Sequence, residues 1–546
     1  MRALLTNSLS QPLRIAFFVC IAVAIIYAPG FDGFWHGDDL PNLHRAHMLS
    51  QQGTLWPDTL RLFAEPVPSE GAFYRPVMML SMALNYALAD ANYAGWYLVN
   101  FAVHLSNTFL VALLVRRFAE LVDCEATVAA PLAALLFGLC PSIAEGVYWM
   151  SARSDGWVTL LTLAGVYFWA GSATSMASRT ALVFPLLLIA ALGFKESAAV
   201  LPLQMFLLAV AWPSALSRQQ RWALAGAFVA VALFMAWRAF LFGNAWQVYT
   251  HGAGGGVALH IKFWHSLQSL GPWWTALTAS TPAWSVAYLI CFCVALLLGA
   301  MLRPLPQWRL AFALAAASGG LAVATLLNLG GMSANGEGGR LTYGPVAWLM
   351  IAVGVFVSHP KSLAARASRW PQAATAALSL ALLTGFVVLW GQLGAAWRAQ
   401  AGMRMMTQSI PPWAASHAGL TMLLVPDHDG AVVIARNAQG GMVLEPIQRQ
   451  PYLHRVLPTL ASETPLRQQQ FCGGMAPRLE IVRPRLLDNQ TLASIAVRAD
   501  TVWPEHVACW SKSLQKIVPL LSPPKDVSCE AWLASVKPAI ESCDLK

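Results

Sequence analysis

Charged residues are scarce in this chain. They make up 11% of the 546 residues, whereas hydrophobic residues make up 57%, and the mean hydropathy is +0.54. A soluble core cannot hide that much apolar surface, and nearly uncharged runs of about 20 residues recur along the sequence. The composition therefore excludes an ordinary soluble domain and predicts an α-helical polytopic membrane protein.

The first hydrophobic segment, at about residues 15–29, lacks an obvious small-residue cleavage site. A secretory signal peptide normally ends in such a site. We therefore expect this segment to be an uncleaved membrane anchor.

Basic residues give a formal net charge of +9 but are dispersed among short loops. A single topology can bring many of them to one side of the membrane: Arg2, Arg14, Arg116, Arg117, Arg179, Arg218, Arg221, Arg303, Arg309, Lys361, Arg366 and Arg369. Such a bias marks the cytoplasmic face. The pattern argues against nucleic acid as a partner, and the short loops and compact length favour a bacterial inner membrane over an ER membrane.

Counting the apolar runs predicts about eleven membrane spans, a cytoplasmic N-terminus and an external C-terminal tail. The predicted spans include the runs at about 95–115, 127–147, 284–302 and 341–357. In this topology, residues 1–394 form the transmembrane domain, and its external loop is 31–94. The runs at 76–89 and 260–279 fit lateral interfacial helices better than spans. Residues 395–546 are predicted to form a small mixed α/β extracytoplasmic (periplasmic) domain with strand-like runs at 420–425 and 431–435.

The polar tail contains an even number of cysteines and no Cys-x-x-Cys pair. They are Cys472, Cys509, Cys529 and Cys543. This pattern favours two disulfides in an oxidising compartment, with three possible pairings, over a zinc site.

Two adjacent carboxylates, Asp38 and Asp39, directly follow the first apolar segment. Acids in this position lie at the membrane boundary, where a lipid-linked headgroup would lie. A desolvated carboxylate is costly to keep, so a chemical role is a hypothesis to weigh against an ordinary polar loop.

The predicted topology collects further polar residues on the outer side: Arg75, His104, Glu145, Arg153, Asp155, Lys195, Glu196 and Arg340. Buried charges must be paired or bind a charged ligand. Arg153, Lys195 and Arg340 could hold a phosphate, and the acids could accept a proton.

Structural roles remain open for several of these residues. Glu145 could pair with Arg153, and His104 could hydrogen-bond Asn100 within the core. The Lys195-Glu196 pair could form a solvated hairpin tip, and Arg340 could mark the membrane boundary.

Several motifs occur in a recognisable order. They are Tyr74-Arg75-Pro76-Val77, Asn85-Tyr86, Leu98-Val99-Asn100, His104-Leu105-Ser106-Asn107, the stretch from Pro141 through Glu145, Trp149 and Arg153 to Asp155, Phe194-Lys195-Glu196-Ser197, and Arg340-Leu341-Thr342-Tyr343-Gly344-Pro345. This order resembles the transmembrane-and-TPR O-mannosyltransferases and their bacterial relatives, which belong to the GT-C superfamily of glycosyltransferases. The resemblance covers most of residues 30–360. It departs at Cys140, where the family has a histidine, and in the lack of a C-terminal TPR array.

The resemblance implies an external active site, a polyprenyl-phosphate-linked sugar donor and an inverting transfer by direct displacement. By analogy, Asp38 and Asp39 carry the general base, with Asp39 slightly preferred. Arg153, Lys195 and Arg340 would contact the donor phosphate, and Tyr74, Arg75 and Trp149 would shape the pocket. The remaining pocket residues would be His104, Glu145, Asp155 and Glu196.

Partners of the expected enzyme are the lipid donor, membrane lipid and a protein, glycan or lipid acceptor. A divalent cation that bridges the acids and the phosphate is an open alternative, although two aspartates alone do not specify such an ion. A transporter or flippase for a lipid-linked saccharide is the alternative, and it should show related halves and broken helices. A structural subunit is a third interpretation, but it leaves the order of the motifs unexplained.

Overall fold

The computed structural model describes residues 11–65, 74–171, 183–243 except 213 and 215, 305–329, 338–361 and 370–419, together with shorter stretches between 421 and 520. Within these residues the α-helices are α1 Gln11–Tyr27, α2 Asp39–Gln51, α3 Leu55–Arg61, α4 Pro76–Ala89, α5 Tyr93–Leu121, α6 Ala129–Gly138, α7 Glu145–Tyr148, α8 Arg153–Gly171, α9 Val183–Phe194, α10 Leu201–Ala211, α11 Arg218–Phe242, α12 Leu305–Leu329, α13 Tyr343–Val357 and α14 Trp370–Ser416. Short 3-10 helices occupy Ala28–Asp32, Pro141–Ile143, Met150–Ala152, Glu196–Val200 and Gly339–Thr342.

Several helices have membrane length and composition. Among the described residues, four helical segments are long and apolar enough to cross a membrane: Arg14–Asp32, Tyr93–Leu121, Arg218–Phe242 and Gly339–Val357. A fifth results if Ala129–Gly138 and Pro141–Tyr148, which are bent by 46°, form one span. The prediction of a helical membrane protein agrees with these helices, but the total of about eleven spans stays a prediction.

Two elements of the predicted topology lie outside the described residues, namely the lateral helix at 260–279 and the span at 284–302. The run predicted as the other lateral helix forms α4, which has 14 residues, and its interfacial position stays a prediction. The run at 127–147, predicted as one span, is instead broken after Gly138. Cys140 adopts an extended conformation, and Pro141 then starts a new 3-10 helix, because proline cannot donate the hydrogen bond that would continue a helix.

A polar face of α5 stabilises this break. His104 Nε2 donates to the carbonyl oxygen of Gly138, the last residue of α6, at 3.0 Å. Asn100 Nδ2 donates to the carbonyl oxygen of Trp149, just after α7, at 3.1 Å. The side chains follow helical spacing and therefore lie on one face of α5. Carbonyl groups freed by a helix break need partners where water is excluded, and α5 supplies them.

Two short strands, β1 Cys124–Glu125 and β2 His359–Pro360, precede α14. The other described strands follow it: β3 Thr421–Val425, β4 His428–Asp429, β5 Val432–Val433, β6 Val456–Leu460, β7 Pro477–Ile481, β8 Ile495–Ala499, β9 His506–Ser511 and β10 Lys516–Leu520. β3 pairs in parallel with β6 and β9, and β9 pairs antiparallel with β10. The predicted strands at 420–425 and 431–435 correspond to β3 and β5.

The domain boundary predicted at residues 394 and 395 falls inside α14, which is continuous for 47 residues. The boundary itself stays a prediction. Of the tail cysteines, Cys509 lies buried in β9, and Cys472, Cys529 and Cys543 lie outside the described residues. The two disulfides therefore also stay predictions.

Candidate active site

A tight turn carries the two aspartates to the start of α2. The Asp39 amide donates to the carbonyl oxygen of His36 at 3.1 Å, and Gly37 adopts a left-handed φ of +54°. A Cβ at Gly37 would lie 3.2 Å from the Trp149 ring. Both the backbone conformation and the close approach therefore favour glycine at this position.

Asp39 is buried, with 2% of its surface exposed. Its Oδ1 accepts a hydrogen bond from the Ser151 amide at 2.7 Å, while its Oδ2 has no hydrogen-bond partner among the described residues. Burial raises the pKa of Asp39 from 3.8 to about 7, although Ser151 opposes this shift. Nearby Asp38 contributes a smaller upward shift through charge repulsion, so Asp39 can exchange a proton near neutral pH.

Arg340 faces this turn from the start of the Gly339–Thr342 helix. Its Nη1 lies 2.9 Å from Glu145 Oε1, and its backbone amide donates to Glu145 Oε2 at 2.9 Å. The guanidinium stacks 4.3 Å from the centre of the Trp149 ring, and Asp38 lies within its electrostatic range. The Arg340 side chain is 27% exposed, so the cation is held in place while remaining accessible.

Lys195 forms the next ion pair, with Asp155. Its Nζ lies 2.6 Å from Asp155 Oδ1, and the two side chains are only 6% and 7% exposed. The alternative of a solvated tip for Lys195-Glu196 is therefore wrong. Arg75 and Arg340 both lie within electrostatic range of Lys195, which places this pair in the same charged cluster.

Glu196 holds two arginines at the edge of the cluster. Its Oε2 lies 3.0 Å from Arg75 Nη2, and its Oε1 lies 3.3 Å from Arg238 Nη1. Sequence reasoning missed Arg238, which is 1% exposed and belongs to α11. A lone arginine inside an apolar helix was the signal that could have identified it.

Arg153 occupies a more enclosed position. Its guanidinium donates to Asn85 Oδ1 at 2.9 Å and lies 5.0 Å from the centre of the Trp96 ring. The residue is 1% exposed, and Asp39 lies within its electrostatic range. Arg153 thus supports the wall behind Asp39, and the expected pairing with Glu145 is wrong because Glu145 pairs with Arg340.

Two predicted pocket residues lie away from this cluster. His104 is fully buried, with Nδ1 2.7 Å from the Tyr343 hydroxyl and Nε2 3.0 Å from the carbonyl oxygen of Gly138. It therefore bonds these groups instead of Asn100. The Tyr74 hydroxyl donates to the carbonyl oxygen of Phe63 at 2.8 Å and accepts from Trp237 Nε1, so it ties Phe63 to α11.

The structure thus brings together residues from distant parts of the sequence. The connected cluster contains Asp38, Asp39, Arg75, Glu145, Trp149, Asp155, Lys195, Glu196 and Arg340. A cleft beside Asp155 is lined by α8, α10, α12 and α13 and includes the apolar side chains of Val158, Leu201 and Leu321. Among the described residues, no group of three His, Cys, Asp or Glu side chains is placed to hold a metal ion.

Comparisons with known proteins give little further information. No family model matches the sequence, and no curated protein matches it. Among solved structures, the chain is similar to the arabinofuranosyltransferase AftD from mycobacteria, with a TM-score of 0.46 and 14% identity over 87% of this chain. The match covers 34% of AftD, so the chain spans about a third of that protein's length. A likeness of this size carries no inference about this chain, whose function must be inferred from its own residues.

Proposed function

We propose that this chain is a GT-C-type membrane glycosyltransferase. It moves a sugar from a polyprenyl-phosphate-linked donor to a hydroxyl acceptor on the extracytoplasmic side of a bacterial inner membrane. The observation that carries the proposal is the position of Asp39, a buried carboxylate with a pKa of about 7, beside Asp38, which lies within electrostatic range of the partly exposed Arg340. A general base is most effective when its pKa lies near the working pH.

Asp39 is the proposed base. Its hydrogen bond to the Ser151 amide orients the carboxylate, and Oδ2 remains available to accept a proton from the acceptor hydroxyl. As that proton moves to Asp39, the hydroxyl oxygen forms a bond to the anomeric carbon. The bond from this carbon to the donor phosphate oxygen breaks, and the phosphate keeps the electron pair. Attack opposite the leaving phosphate inverts the anomeric centre.

Arg340 is the best-placed cation for the departing phosphate. Glu145 and Trp149 fix its guanidinium on two sides, which reduces the reorganisation needed when negative charge develops on the phosphate. Lys195 lies within electrostatic range of Arg340 and would add a second positive charge. Arg153 was also expected to contact the phosphate, but its burial and its bond to Asn85 suit a supporting role better.

Asp38 would have a different role from Asp39. It is half-buried and lies within electrostatic range of Arg340. In this position it would orient the arginine and help to raise the pKa of Asp39 through charge repulsion.

The test measures sugar transfer by the purified full-length protein in vesicles, with labelled lipid-linked sugars extracted from native membranes. We expect Asp39→Asn to lower transfer by about 10²–10⁴-fold, the usual contribution of a general base. Asp38→Asn should cause a smaller loss. Asp123→Asn is the matched control, because the Asp123 side chain is 80% exposed in a pair with Lys361 and lies far from Asp39 along the chain.

Full transfer by both the Asp38→Asn and Asp39→Asn proteins at normal expression would reject the proposed base. A flippase for lipid-linked saccharides would instead move labelled lipid between leaflets without forming a new glycosidic bond. Measuring both leaflet distribution and product formation separates these two functions.

A further inference from the structure

One segment of the C-terminal region directly contacts the turn that carries the aspartates. The Gly37 amide donates to the carbonyl oxygen of Ile434 at 2.8 Å. His36 Nδ1 lies 2.9 Å from the carbonyl oxygen of Val433 and therefore donates to it. Two adjacent residues immediately before Asp38 are thus bonded to a segment almost 400 positions later in the sequence.

The contact continues along α2. A Cβ at Gly441 would lie 2.6 Å from the Leu40 Cβ, so the two segments of the chain pack closely here. Farther along the helix, His44 Nδ1 lies 2.5 Å from the carbonyl oxygen of Glu445, and His47 Nε2 lies 3.1 Å from its Oε2. Leu40, His44 and His47 follow helical spacing and share one face of α2.

We propose that Val433, Ile434, Gly441 and Glu445 form a positioning clamp for the Asp38–Asp39 turn and that His36 is its main positioning residue. This inference rests on the proposed function. It makes the C-terminal region a structural part of the active site, in addition to any contact it makes with an acceptor.

The environment of His36 suits this role. The ring is 1% exposed and stacks on Trp149 with 5.8 Å between ring centres. Burial lowers the pKa of His36 to about 4, so the ring stays neutral at ordinary pH, and its Nδ1 proton can donate to Val433. Glu145 and Asp38 are the charged groups within its electrostatic range.

Accurate placement matters because Asp39 depends on its surroundings for a near-neutral pKa. If the clamp released the turn, water would reach the carboxylate and the pKa of Asp39 would fall toward 3.8. A displacement of about 1 Å at a reacting group can cost roughly 10²-fold in rate. The clamp should therefore affect the rate and its pH dependence more than donor binding.

The experiment compares His36→Leu with His36→Asn in the full-length protein in vesicles. The asparagine amide can replace the Nδ1 donor, whereas leucine cannot. For His36→Leu we expect hydrogen–deuterium exchange of the amides at 36–43 to increase about tenfold. Exchange requires these residues to open locally, and the free energy of that opening would be roughly 1.4 kcal/mol lower in the variant. Transfer should fall about 10²-fold in kcat with little change in the donor KM, and the acid limb of its pH profile should move to lower pH.

His36→Asn should restore slow exchange and most of the activity. Glu445→Ala provides a second variant, with faster exchange confined to the part of α2 near His47, because it removes the carboxylate that His47 contacts and keeps the carbonyl oxygen that His44 contacts. Asp429→Ala is the matched control, because it removes an ion pair with Lys512 in the same C-terminal region without touching α2.

The exchange measurement tests whether the clamp exists, and this test does not depend on the protein being a glycosyltransferase. Unchanged exchange at 36–43 in the His36→Leu protein would overturn the clamp. Faster exchange with an unchanged kcat and pH profile would overturn its positioning role. If the wild type transfers no sugar, the proposed function fails. The effect of the His36 variants on exchange still tests the contact between His36 and Val433 in that case.

Discussion

The N-terminal half and the C-terminal end of α5 place charged residues in very different surroundings. The helix has 29 residues and is therefore about 43 Å long. Beside its N-terminal half, where Gly156 packs against Val103, the Lys195–Asp155 pair is 6% and 7% exposed. Near its other end, the Arg116–Glu120 pair is 39% and 41% exposed, and Lys361–Asp123 is more exposed still.

This difference distinguishes two uses of charge. Exposed pairs one helical turn apart contribute about 0.3–0.5 kcal/mol and keep their water. Buried pairs lose their hydration and are often no better for stability than apolar residues of the same size. The buried cluster beside the N-terminal half of α5 is therefore poorly explained by stability, whereas binding and proton transfer explain it well.

Breaking the Lys195–Asp155 pair should give the largest stability effect. Lys195→Ala leaves the Asp155 carboxylate buried without its ammonium partner, and such changes cost about 3–5 kcal/mol. Thermal unfolding of the detergent-solubilised protein measures the loss. The double variant Asp155→Leu/Lys195→Met should recover most of the stability and still fail to transfer sugar. Recovery of both properties would show that the pair is purely structural.

Arg340→Lys should separate geometry from charge. Lysine keeps the positive charge but lacks the planar guanidinium that stacks on Trp149 and bonds to Glu145. We expect binding of farnesyl phosphate, a soluble probe of the donor headgroup, to weaken about tenfold, or roughly 1.4 kcal/mol. Calorimetric titration checks this change. Arg116→Lys, at the opposite end of α5, is the control, and equal losses in both proteins would contradict the assignment of Arg340.

The pH dependence of stability tests the burial of Asp39. Its pKa is about 7 in the folded protein and 3.8 in an exposed chain, so the folded state retains a proton that the unfolded state releases. Stability should therefore fall as the pH rises from about 4 to 7. Asp39→Asn removes this titration, so the variant should melt at a higher temperature than the wild type above pH 7. Near pH 4 the two proteins should melt alike, and a constant difference from pH 4 to 8 would show that Asp39 does not titrate in this range.

Glu120→Gln should have the smallest effect. Its partner Arg116 remains hydrated after the change, so the expected loss is about 0.3–0.5 kcal/mol. Thermal unfolding at low and high salt would measure it. A loss comparable to that of Lys195→Ala would remove the contrast between the two ends of α5.

The sequence predicted some parts of this structure better than others. Long apolar runs predicted α5 and α13, because length and hydrophobicity are local properties. The break at Cys140 was missed, since the hydrogen bond to the freed carbonyl of Gly138 comes from His104 on α5, a different segment. The position of Asp39 after the first apolar segment made it a candidate, and motif order did so for Arg340. Arg238 was missed because its partner Glu196 lies on another segment.

By itself, the sequence determined a helical, membrane-length chain with acids and bases on one expected side, because hydrophobic periodicity and charge bias are encoded in neighbouring residues. Only the tertiary structure decided which charges pair and which remain accessible. It placed Lys195 against Asp155, fixed Arg340 between Glu145 and Trp149, and brought Val433 to His36. These choices depend on desolvation and distance between remote segments, and neither quantity can be read from local sequence.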